Sequence, residues 1–474
     1  MARTSRPVFR AALADLEQQC GLGGLLDAAR FGAEQLALPS RFMTAEGAAA
    51  ALAAGAAVAA RLAAARGAPA GVVDTASRHV EASLLSFAHL RFLDSSHAPP
   101  ARQAPEERTA AAGFHRTADA RWIYLHPGFP HNTRGLLALL GVPDDRDAVR
   151  AAVAGRRGGE LEEAIGAAGL CGAMARSPEE WEASLPGRLL AARPVVDVVQ
   201  LNDTAPEPLP PQAVPRPLQG VRVLDLTRVL AGPTCGRTLA SYGAEVLRVA
   251  APALPFVPLF VADTGFGKRS AHLDLTGPDD AQRLRRLIRD ADVFTQGYRT
   301  GAMDRLGFGV TDVVQLRPGI VYVSINCYGH EGPWRARPGW EQLAQTVTGM
   351  AHRHGADTGA EGPVLLPAAV TDYTTGYLAA FGVLAALERR ARVGGSYWVR
   401  VSLARTGMWV QSLGRRRSAT AKPLTAAEIA ALQDEADTAW GRVRHLRPAV
   451  TLSTGRVGWD LPPAPLGSHP PSFT

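Results

Sequence analysis

The stretch from Pro217 to Pro252, PLQGVRVLDLTRVLAGPTCGRTLASYGAEVLRVAAP, constrains the fold more than any other part of the chain. Its first apolar run is typical of a buried parallel strand. The Ala-Gly-Pro sequence at 231–233 then breaks the pattern, and Pro233 can occupy the first turn of a helix, where no N–H is needed. Gly243 ends that helix, and Glu245–Val249 is predicted to be the second strand.

A strand, a loop and a helix in this order place backbone N–H groups at the edge of a sheet, where they commonly bind a phosphate-bearing ligand. The loop carries a single glycine followed by proline, so it is not the G-x-G-x-x-G fingerprint of dinucleotide-binding folds. This stretch by itself also fits an α/β domain of any other function.

Strands and helices alternate through the second half of the chain. Five segments are predicted to be strands with helices between them: Val221–Asp225, Glu245–Val249, Ala271–Leu275, Asp292–Thr295 and Ile320–Asn326. Such alternation predicts an α/β fold with a doubly wound, mostly parallel sheet.

A smaller α+β domain is predicted ahead of this sheet. Its strand is Arg121–Leu125, and its helices lie around Thr133–Leu140, Arg146–Val153 and Glu160–Ala168. Pro-rich breaks occur at Ala98–Glu107 and Thr204–Pro217. The predicted divisions are an N-terminal helical segment (1–97), the small α+β domain (108–203), a semi-rigid linker (204–217), the large domain (218–415) and a closing tail (416–474).

Composition narrows the function classes. The chain has 51 basic and 44 acidic residues, so its net charge is only +7, and no basic block is interleaved with aromatics. This argues against nucleic-acid binding and suits small anionic ligands. The cysteines at 20, 171, 235 and 327 lack CxxC spacing, which predicts no zinc site and suits a reducing compartment.

A cytoplasmic location is expected. The N-terminal residues include several arginines but lack the apolar core of a signal peptide. The Ala-rich segment Ala48–Ala65 is interrupted by Gly55 and Arg61, and we expect it to be too weakly apolar to span a membrane.

An internal repeat relates the two halves of the chain. Thr44–Arg78 aligns without a gap to Thr371–Arg405, with Gly55 opposite Gly382. Both copies predict a long Ala-rich helix, a glycine turn, a short strand and a second helix. The matched glycines and the strand carry the inference, since Ala-rich helices align readily by chance.

Seven blocks between Pro217 and Arg415 follow one another in an order known from a single family. They are PLQGVRVLDLTRVLAGP, GAEVLRV, GKRSAHLDL, ADVFTQGYRTGAMDRLGFG, RPGIVYVSINCYGHEGPW, RPGWEQLAQTVTGM and TDYTTGYLAAFGVLAAL. This region resembles the family III CoA-transferases, which include formyl-CoA transferase and carnitine CoA-transferase. The resemblance implies an enzyme that moves CoA between carboxylic acids, with acyl-CoA as substrate and neither a metal nor NAD. It also implies a homodimer, with a pseudo-dimeric monomer as the alternative.

Asp372 falls at the position of the family's catalytic aspartate, whereas the first repeat has Ala45 there. In the chemistry that the resemblance implies, this carboxylate attacks an acyl-CoA thioester, forms a mixed anhydride and releases CoA thiolate. The thiolate returns to give an enzyme-bound acyl thioester, and the acceptor carboxylate then takes over the CoA. Such a nucleophile needs desolvation and backbone donors for the oxyanion. The alternative is that Asp372 only caps a helix.

The resemblance assigns roles to further residues. Glu341 matches an acidic position beside the active site, where it would orient the substrate or tune Asp372 by charge repulsion; it could also be a surface acid. The family's CoA-binding positions correspond to Val229, Leu230, Leu273, Tyr298 and Arg305. Arg305 is the best candidate for a phosphate contact, with a solvated helix arginine as the alternative.

The chain departs from the family where cationic contacts are expected. Ala250-Ala251 replaces a charged pair, and Thr276 stands at a lysine position. These losses would weaken CoA binding or shift it onto other cations, namely Lys268, Arg299 and Arg305. The domain order also differs, because the segment resembling the family's small domain precedes the large domain.

Two other functions are weighed against transfer. An α-methylacyl-CoA racemase shares the scaffold but needs an acid/base pair, and Trp340 stands where its histidine would be. A CoA-binding scaffold or regulatory protein without turnover would explain the missing cations, but the retained Asp372 opposes it. Four scattered histidines are expected to be structural: His115, His126, His131 and His330.

Overall fold

The computed structural model describes residues 2–94, 109–209 and 216–473. The helices of these residues are α1 (Ala2–Gln19), α2 (Leu25–Ala28), α3 (Thr44–Ala64), α4 (Ser77–Ser83), α5 (Ser86–His89), α6 (Pro130–Leu140), α7 (Arg146–Ala154), α8 (Gly158–Ala167), α9 (Pro178–Ala183), α10 (Leu185–Ala191), α11 (Ala231–Ser241), α12 (Pro258–Thr264), α13 (Pro278–Arg289), α14 (Ala302–Arg305), α15 (Val310–Leu316), α16 (Glu341–Val347), α17 (Met350–Thr358), α18 (Val370–Val393), α19 (Leu403–Ser412) and α20 (Ala426–Ala431).

The strands are β1 (Ala29–Gly32), β2 (Val73–Ala76), β3 (Arg91–Phe92), β4 (Gly113–Arg116), β5 (Trp122–Leu125), β6 (Gly172–Met174), β7 (Asp197–Gln200), β8 (Arg222–Asp225), β9 (Glu245–Ala250), β10 (Lys268–His272), β11 (Val293–Gln296), β12 (Val321–Asn326), β13 (Tyr397–Ser402), β14 (Gln433–Thr438), β15 (Gly441–Leu446) and β16 (Thr451–Leu452).

A seven-stranded sheet forms the centre of the second half. Its strand order is β10-β9-β8-β11-β12-β13-β7. The strands from β10 to β13 are parallel, and β7 runs antiparallel at the edge. The predicted α/β fold with a mostly parallel sheet is therefore confirmed. The chain builds outward from β8 to β10 and then returns to β11, so the strand order reverses between β8 and β11.

Adjacent residues of the strands face two different cores. Val223 and Val293 belong to a core that includes residues of α11 and α18, while Leu224 and Phe294 belong to a second core with α13 and α15. A parallel strand covered by helices on both faces requires apolar residues at consecutive positions. This requirement explains the continuous apolar runs in the sequence.

The two copies of the internal repeat form two long helices that pack against each other. α3 of the first copy contacts α18 of the second, and each helix is followed by a strand and another helix, as the repeat predicts. Every residue from Thr44 to Ala60 is buried. Small alanine side chains allow this close approach between helices.

The hydropathy of α3 is higher than expected for this segment. α3 is long and apolar enough to cross a membrane, because its most apolar window has a mean hydropathy of 1.6. The same window is 83% buried inside the protein. The alanines make α3 more apolar than expected, because the helix contains few polar residues to offset them.

Residues 109–175 contain the strand and the three helices predicted for the smaller unit. β5 lies between β4 and β6 in an antiparallel sheet. Its Ile123 and Leu125 pack in one core with side chains of α6, α7 and α8, including Leu136, Val149 and Leu161. This unit also carries the loop between β5 and α6, which reaches the second half of the chain.

Two further three-stranded sheets join distant segments. β1 and β2 are parallel and β16 pairs with β2, while β15 pairs with both β3 and β14. The segment after α20 therefore completes sheets that begin within the first 94 residues. The N-terminal and C-terminal parts of the chain thus depend on each other for backbone pairing.

One strand differs from its predicted position. The third strand of the large sheet was expected at Ala271–Leu275 and is Lys268–His272. Asp274 ends the extended segment because its carboxylate accepts a hydrogen bond of 3.0 Å from the N–H of Thr276, which forms a turn. The predicted break at Ala98–Glu107 lies outside the described residues, as does part of the predicted linker (210–215).

The repeat provides a matched pair of glycines for a stability test. A Cβ on Gly382 would lie 2.6 Å from Val399 Cγ1 and 2.8 Å from Val196 Cγ1, whereas a Cβ on Gly55 would lie 3.5 Å from Leu384 Cδ1. We expect Gly382→Ala to lower the free energy of unfolding by about 1–3 kcal/mol, because stiff valines must move. Gly55→Ala should be neutral or raise it by up to about 1 kcal/mol through helix propensity.

Urea unfolding followed by circular dichroism measures both effects. Equal destabilisation by the two variants would contradict the packing described here.

Candidate active site

A cleft opens beyond the carboxyl ends of β8 and β11, where the strand order reverses. Ligands of open α/β sheets bind at this switch point. The cleft has a volume of about 1110 Å³, and the loops after both strands line it. Four arginines are among its lining residues, and we call it the basic cleft for them: Arg228, Arg299, Arg335 and Arg337.

The loop after β8 approaches this cleft in a strained conformation. Val229 has φ of 67° although it is β-branched and not glycine. This region of backbone space is costly for such residues, and it persists where the surrounding structure enforces it, often at functional sites. Leu230 is the N-cap of α11, and a Cβ on Gly232 would lie 2.3 Å from Thr227 Cβ. The loop is therefore pressed against the first turn of α11, whose backbone lines the cleft.

Asp372 lies in the first turn of α18 and is only 8% exposed. Its carboxylate accepts no hydrogen bond from the residues that the structure describes. Asp372 lines the basic cleft and also a second cavity on the other side. The N-cap of α18 is Ala369, so the capping role considered for Asp372 does not apply.

Glu341 supplies that cap from another helix. Its Oε1 accepts a hydrogen bond of 3.0 Å from the N–H of Thr371, and its Oε2 accepts one of 2.5 Å from the N–H of Asp372. The hydroxyl of Thr371 and the amide of Gln345 also donate to this carboxylate. A negative charge at a helix N-terminus is favourable, so this contact joins the start of α16 to the start of α18.

The two buried carboxyl groups differ in the hydrogen bonds that offset their burial. Burial, and then the nearby charge of Glu341, raise the pKa of Asp372 well above its ordinary value. Burial also raises the pKa of Glu341, but four hydrogen bonds oppose this shift. Glu341 is the better stabilised anion of the pair, because each of those donors favours its charged form.

The second cavity has a volume of about 1520 Å³ and is rich in aromatic side chains, so we call it the aromatic cavity. The loop between β5 and α6 forms one wall. The His126 ring stacks on Trp340 with centroids 4.5 Å apart, and Phe129 meets Trp340 edge-on at 5.2 Å. Phe129, Val229, Leu230, Trp340 and Asp372 line both spaces, so the two meet at Asp372.

No motif in the sequence predicted this wall. Of the four histidines expected to be structural, His126 lines the aromatic cavity and His131 lines the basic cleft. His115 and His330 bond to Ala111 and Ser324 away from both spaces. The Pro- and Gly-rich segment HPGFPHN after β5 was the available signal, because such loops at strand ends often carry function.

The predicted CoA-binding residues occupy different surroundings. Val229, Leu230, Tyr298 and Arg299 line the basic cleft. Leu273 lies in the core with α13, and Arg305 ends α14 on the surface. The structure therefore brings four of these residues together with Asp372 and places the other two outside the cleft lining.

Lys268 lies in the interior, where its ammonium is 2.7 Å from Asp225 Oδ2 and 2.7 Å from the carbonyl oxygen of Pro233. Burial lowers the pKa of Lys268 to about 8. These contacts occupy two of the three donors of Lys268, so its present role is to hold the start of α11 against β8.

Arg248 is a buried cation that no motif in the sequence indicates. It is 4% exposed, and its Nε and Nη1 atoms have no hydrogen-bond partner among the described residues. With Arg228 it lines a smaller cavity of about 410 Å³ beside Ala250 and Ala251. Burial lowers the pKa of Arg248, and the charge of Asp225 raises it and partly offsets this lowering. The unbonded N–H groups still favour an anionic ligand, because unsatisfied buried donors are costly.

Comparison with known proteins identifies the family. A model of CoA-transferase family III matches residues 21–206 and 218–423. The chain belongs to CoA-transferase family III. The second matched range contains Asp372 and Glu341, and the first contains the wall with His126 and Phe129.

Family III relatives match this chain over part of their length. An acyl-CoA transferase of Gibberella moniliformis is 36% identical over 320 residues, which are 63% of this chain and 56% of the fungal protein. Succinyl-CoA:glutarate CoA-transferase of Mus musculus is 34% identical, over 40% of this chain and 45% of the mouse protein. Formyl-CoA:oxalate CoA-transferase of Streptomyces coelicolor is 35% identical, over 39% of this chain and 47% of that protein. The chain thus spans about half the length of the curated relatives it matches.

A crystal structure of Rv3272 from Mycobacterium tuberculosis is also similar. It shares 33% identity and a TM-score of 0.37 with this chain, covering 42% of this chain and 57% of that chain.

The raised pKa of Asp372 predicts a stability effect. The unfolded chain releases this proton near the ordinary pKa of 3.8, and the folded protein releases it at higher pH. The wild type should therefore lose stability as the pH rises through this window, whereas Asp372→Asn should not. We expect the variant to have the higher urea midpoint, by a margin that grows with pH and levels off above the folded-state pKa.

Asp279→Asn, at an exposed position of α13, is the matched control and should show no such margin. A margin for Asp372→Asn that is zero or negative across the pH range would contradict the burial of this carboxyl group.

Proposed function

We propose that this protein transfers CoA between carboxylic acids and that Asp372 is the nucleophile. The observation that carries the proposal is the position of Asp372. Its buried carboxylate, which accepts no hydrogen bond from the described residues, lies where the basic cleft meets the aromatic cavity. A carboxylate stripped of solvent and of donors is a stronger nucleophile than one in water.

The reaction balances with the groups at hand. A carboxylate oxygen of Asp372 attacks the thioester carbon, the C–S bond breaks, and CoA leaves as the thiolate. The thiolate attacks the aspartyl carbonyl of the mixed anhydride, which releases the donor acid and leaves CoA on Asp372 as a thioester. The acceptor carboxylate attacks this thioester, and the returning thiolate takes the acceptor acyl group, which restores Asp372.

Charge supports one orientation of the substrate. CoA carries several negative phosphate charges, which suit the arginines of the basic cleft and the incompletely bonded Arg248 beside it. The start of α11 also lines this cleft, and helix N-termini favour phosphate and other anions. The acyl group would then extend past Asp372 into the aromatic cavity.

Glu341 acts as a positioning residue in this proposal. It accepts hydrogen bonds from the N–H groups of Thr371 and Asp372. These bonds hold the backbone of Asp372 in place, so that its side chain stays at the cleft. Its charge also disfavours the ionised form of Asp372, which makes that carboxylate more reactive once it has formed.

Exchange with labelled acid tests the function without knowledge of the natural acceptor. The protein is incubated with an acyl-CoA and the matching isotope-labelled acid, and label is sought in the acyl-CoA. We expect exchange by the wild type and by Asp279→Asn, and a loss of at least about 1000-fold in Asp372→Asn, as for removal of other covalent nucleophiles. Hydroxylamine should modify Asp372 only when acyl-CoA is present, as seen by mass spectrometry.

Two outcomes would overturn the proposal. Isotope exchange at the α-carbon without modification of Asp372 would favour a racemase. Binding of CoA esters without exchange or modification would favour a scaffold protein.

The pH dependence tests the pairing of the two carboxyl groups. Removing the charge of Glu341 removes a cause that raises the pKa of Asp372. Because the nucleophile must be ionised, we expect the acid limb of the kcat/KM profile to move to lower pH in Glu341→Gln. A folded variant with lower activity but an unmoved limb would contradict the electrostatic role.

Arg248 provides a test of CoA placement. We expect Arg248→Met to raise the KM for acetyl-CoA by about 10- to 100-fold with a smaller change in kcat, because a charge-assisted phosphate contact is lost. Arg286→Met, at an exposed position of α13, is the control and should leave KM unchanged. An unchanged KM in Arg248→Met would place the phosphates elsewhere.

A further inference from the structure

Aromatic side chains form much of the wall of the aromatic cavity. Five aromatic side chains line it: Phe87, Tyr124, Phe129, Phe260 and Trp340. The rings hold one another in place, since Phe87 meets Phe260 at 4.9 Å and Phe129 meets Trp340 at 5.2 Å. A cavity whose walls pack on each other is largely formed before a ligand enters.

The described lining of the aromatic cavity contains three charged side chains, namely Arg134, Glu341 and Asp372. Glu341 caps α18, and Asp372 faces the reacting carbon in the proposed function. Arg134 is exposed in the first half of α6, and its Nε donates a hydrogen bond of 3.4 Å to the carbonyl oxygen of Pro130. The described part of the cavity interior therefore contains no buried arginine or lysine that could pair with a second carboxylate.

This lining distinguishes between acyl groups of similar length. A dicarboxylic acyl group such as succinyl would place its free carboxylate among aromatic rings, where an unpaired charge is strongly disfavoured. An apolar acyl group would exchange water for the same rings, and each buried methylene would favour binding. An aryl ring would add edge-to-face contacts with the walls.

We propose that the aromatic cavity is the acyl subsite and that it selects large apolar acyl groups, best those ending in an aryl ring, over acetyl and over short dicarboxylic acyl groups. This inference rests on the proposed function, because that function places the thioester carbon at Asp372 and CoA in the basic cleft. It adds the class of acid on which the protein acts.

Identity exchange gives the direct comparison. The wild type is assayed with 3-phenylpropanoyl-CoA, acetyl-CoA and succinyl-CoA, each with its own labelled acid. We expect kcat/KM for 3-phenylpropanoyl-CoA to exceed the succinyl-CoA value by about 100-fold or more, since an unpaired buried group is discriminated strongly. A succinyl-CoA value that equals or exceeds it would overturn the proposal.

A variant that narrows the aromatic cavity tests whether the acyl group binds there. Thr133 is half-buried in α6 and lines the aromatic cavity. We expect Thr133→Trp to lower the ratio of 3-phenylpropanoyl to acetyl kcat/KM by at least about tenfold, because the indole occupies space that the aryl ring needs. Thr133→Ser is the matched control and should keep the ratio. A ratio unchanged in the folded Thr133→Trp variant would place the aryl group elsewhere.

Calorimetry separates this inference from the proposed function. If no acyl-CoA supports exchange, the transferase proposal fails, but the subsite can still be examined by equilibrium binding. Binding of 3-phenylpropanoyl-CoA to the wild type at least about tenfold tighter than CoA supports the aromatic cavity as the acyl subsite. Equal affinities for the two compounds would overturn it.

Discussion

The contact between Glu341 and the N-terminus of α18 is the interaction on which the candidate site depends. One carboxylate bonds to two backbone N–H groups, a hydroxyl and an amide, and thereby joins α16 to α18. The same contact occupies the N–H groups of Thr371 and Asp372, and the carboxylate of Asp372 accepts no hydrogen bond from the described residues. The cap therefore fixes the start of α18, and burial together with the nearby charge of Glu341 raises the pKa of Asp372.

Asp372 lies between a surface rich in arginine and a surface rich in aromatic rings. The loops after β8 and β11 contribute arginines and a helix N-terminus, whereas the loop after β5, with α5 and α12, contributes aromatic rings. This separation follows from topology, because the carboxyl ends of parallel strands present polar loop residues at the switch point. Part of the aromatic wall, the loop after β5, comes from a different sheet. A substrate with a charged end and an apolar end matches such a divided site.

The internal repeat explains part of this construction. The first copy retains the long helix and packs it as α3 against α18, but it has Ala45 where the second copy has Asp372. Tyr373, beside Asp372, accepts a hydrogen bond at its hydroxyl from the N–H of Phe87 and donates one of 3.0 Å to Asp263. The first copy thus supports the site by packing α3 against α18, while the second copy carries the candidate nucleophile.

Much of the second half could be predicted from local pattern. The apolar runs around Val221–Asp225 and Ile320–Asn326 predicted parallel strands, because such strands are buried on both faces. The motif match indicated Asp372 and Glu341 as candidate site residues, which stays a prediction. The strand predicted at Ala271–Leu275 lies three residues earlier, at Lys268–His272. The turn that follows it depends on one side-chain hydrogen bond between Asp274 and Thr276, which the apolar pattern does not indicate.

The sequence by itself determined the α/β class, the internal repeat and the two candidate carboxylates, since these depend on periodicity and on residue type at aligned positions. Only the tertiary structure decided that Glu341 caps α18, that Lys268 pairs with Asp225 in the interior, and that His126 stacks on Trp340. Each of these contacts joins residues at least 30 positions apart, and local sequence patterns do not reveal such pairings. The stretch Pro217–Pro252 predicted a ligand-facing loop, but the packing of distant segments determined which side of that loop is basic and which is aromatic.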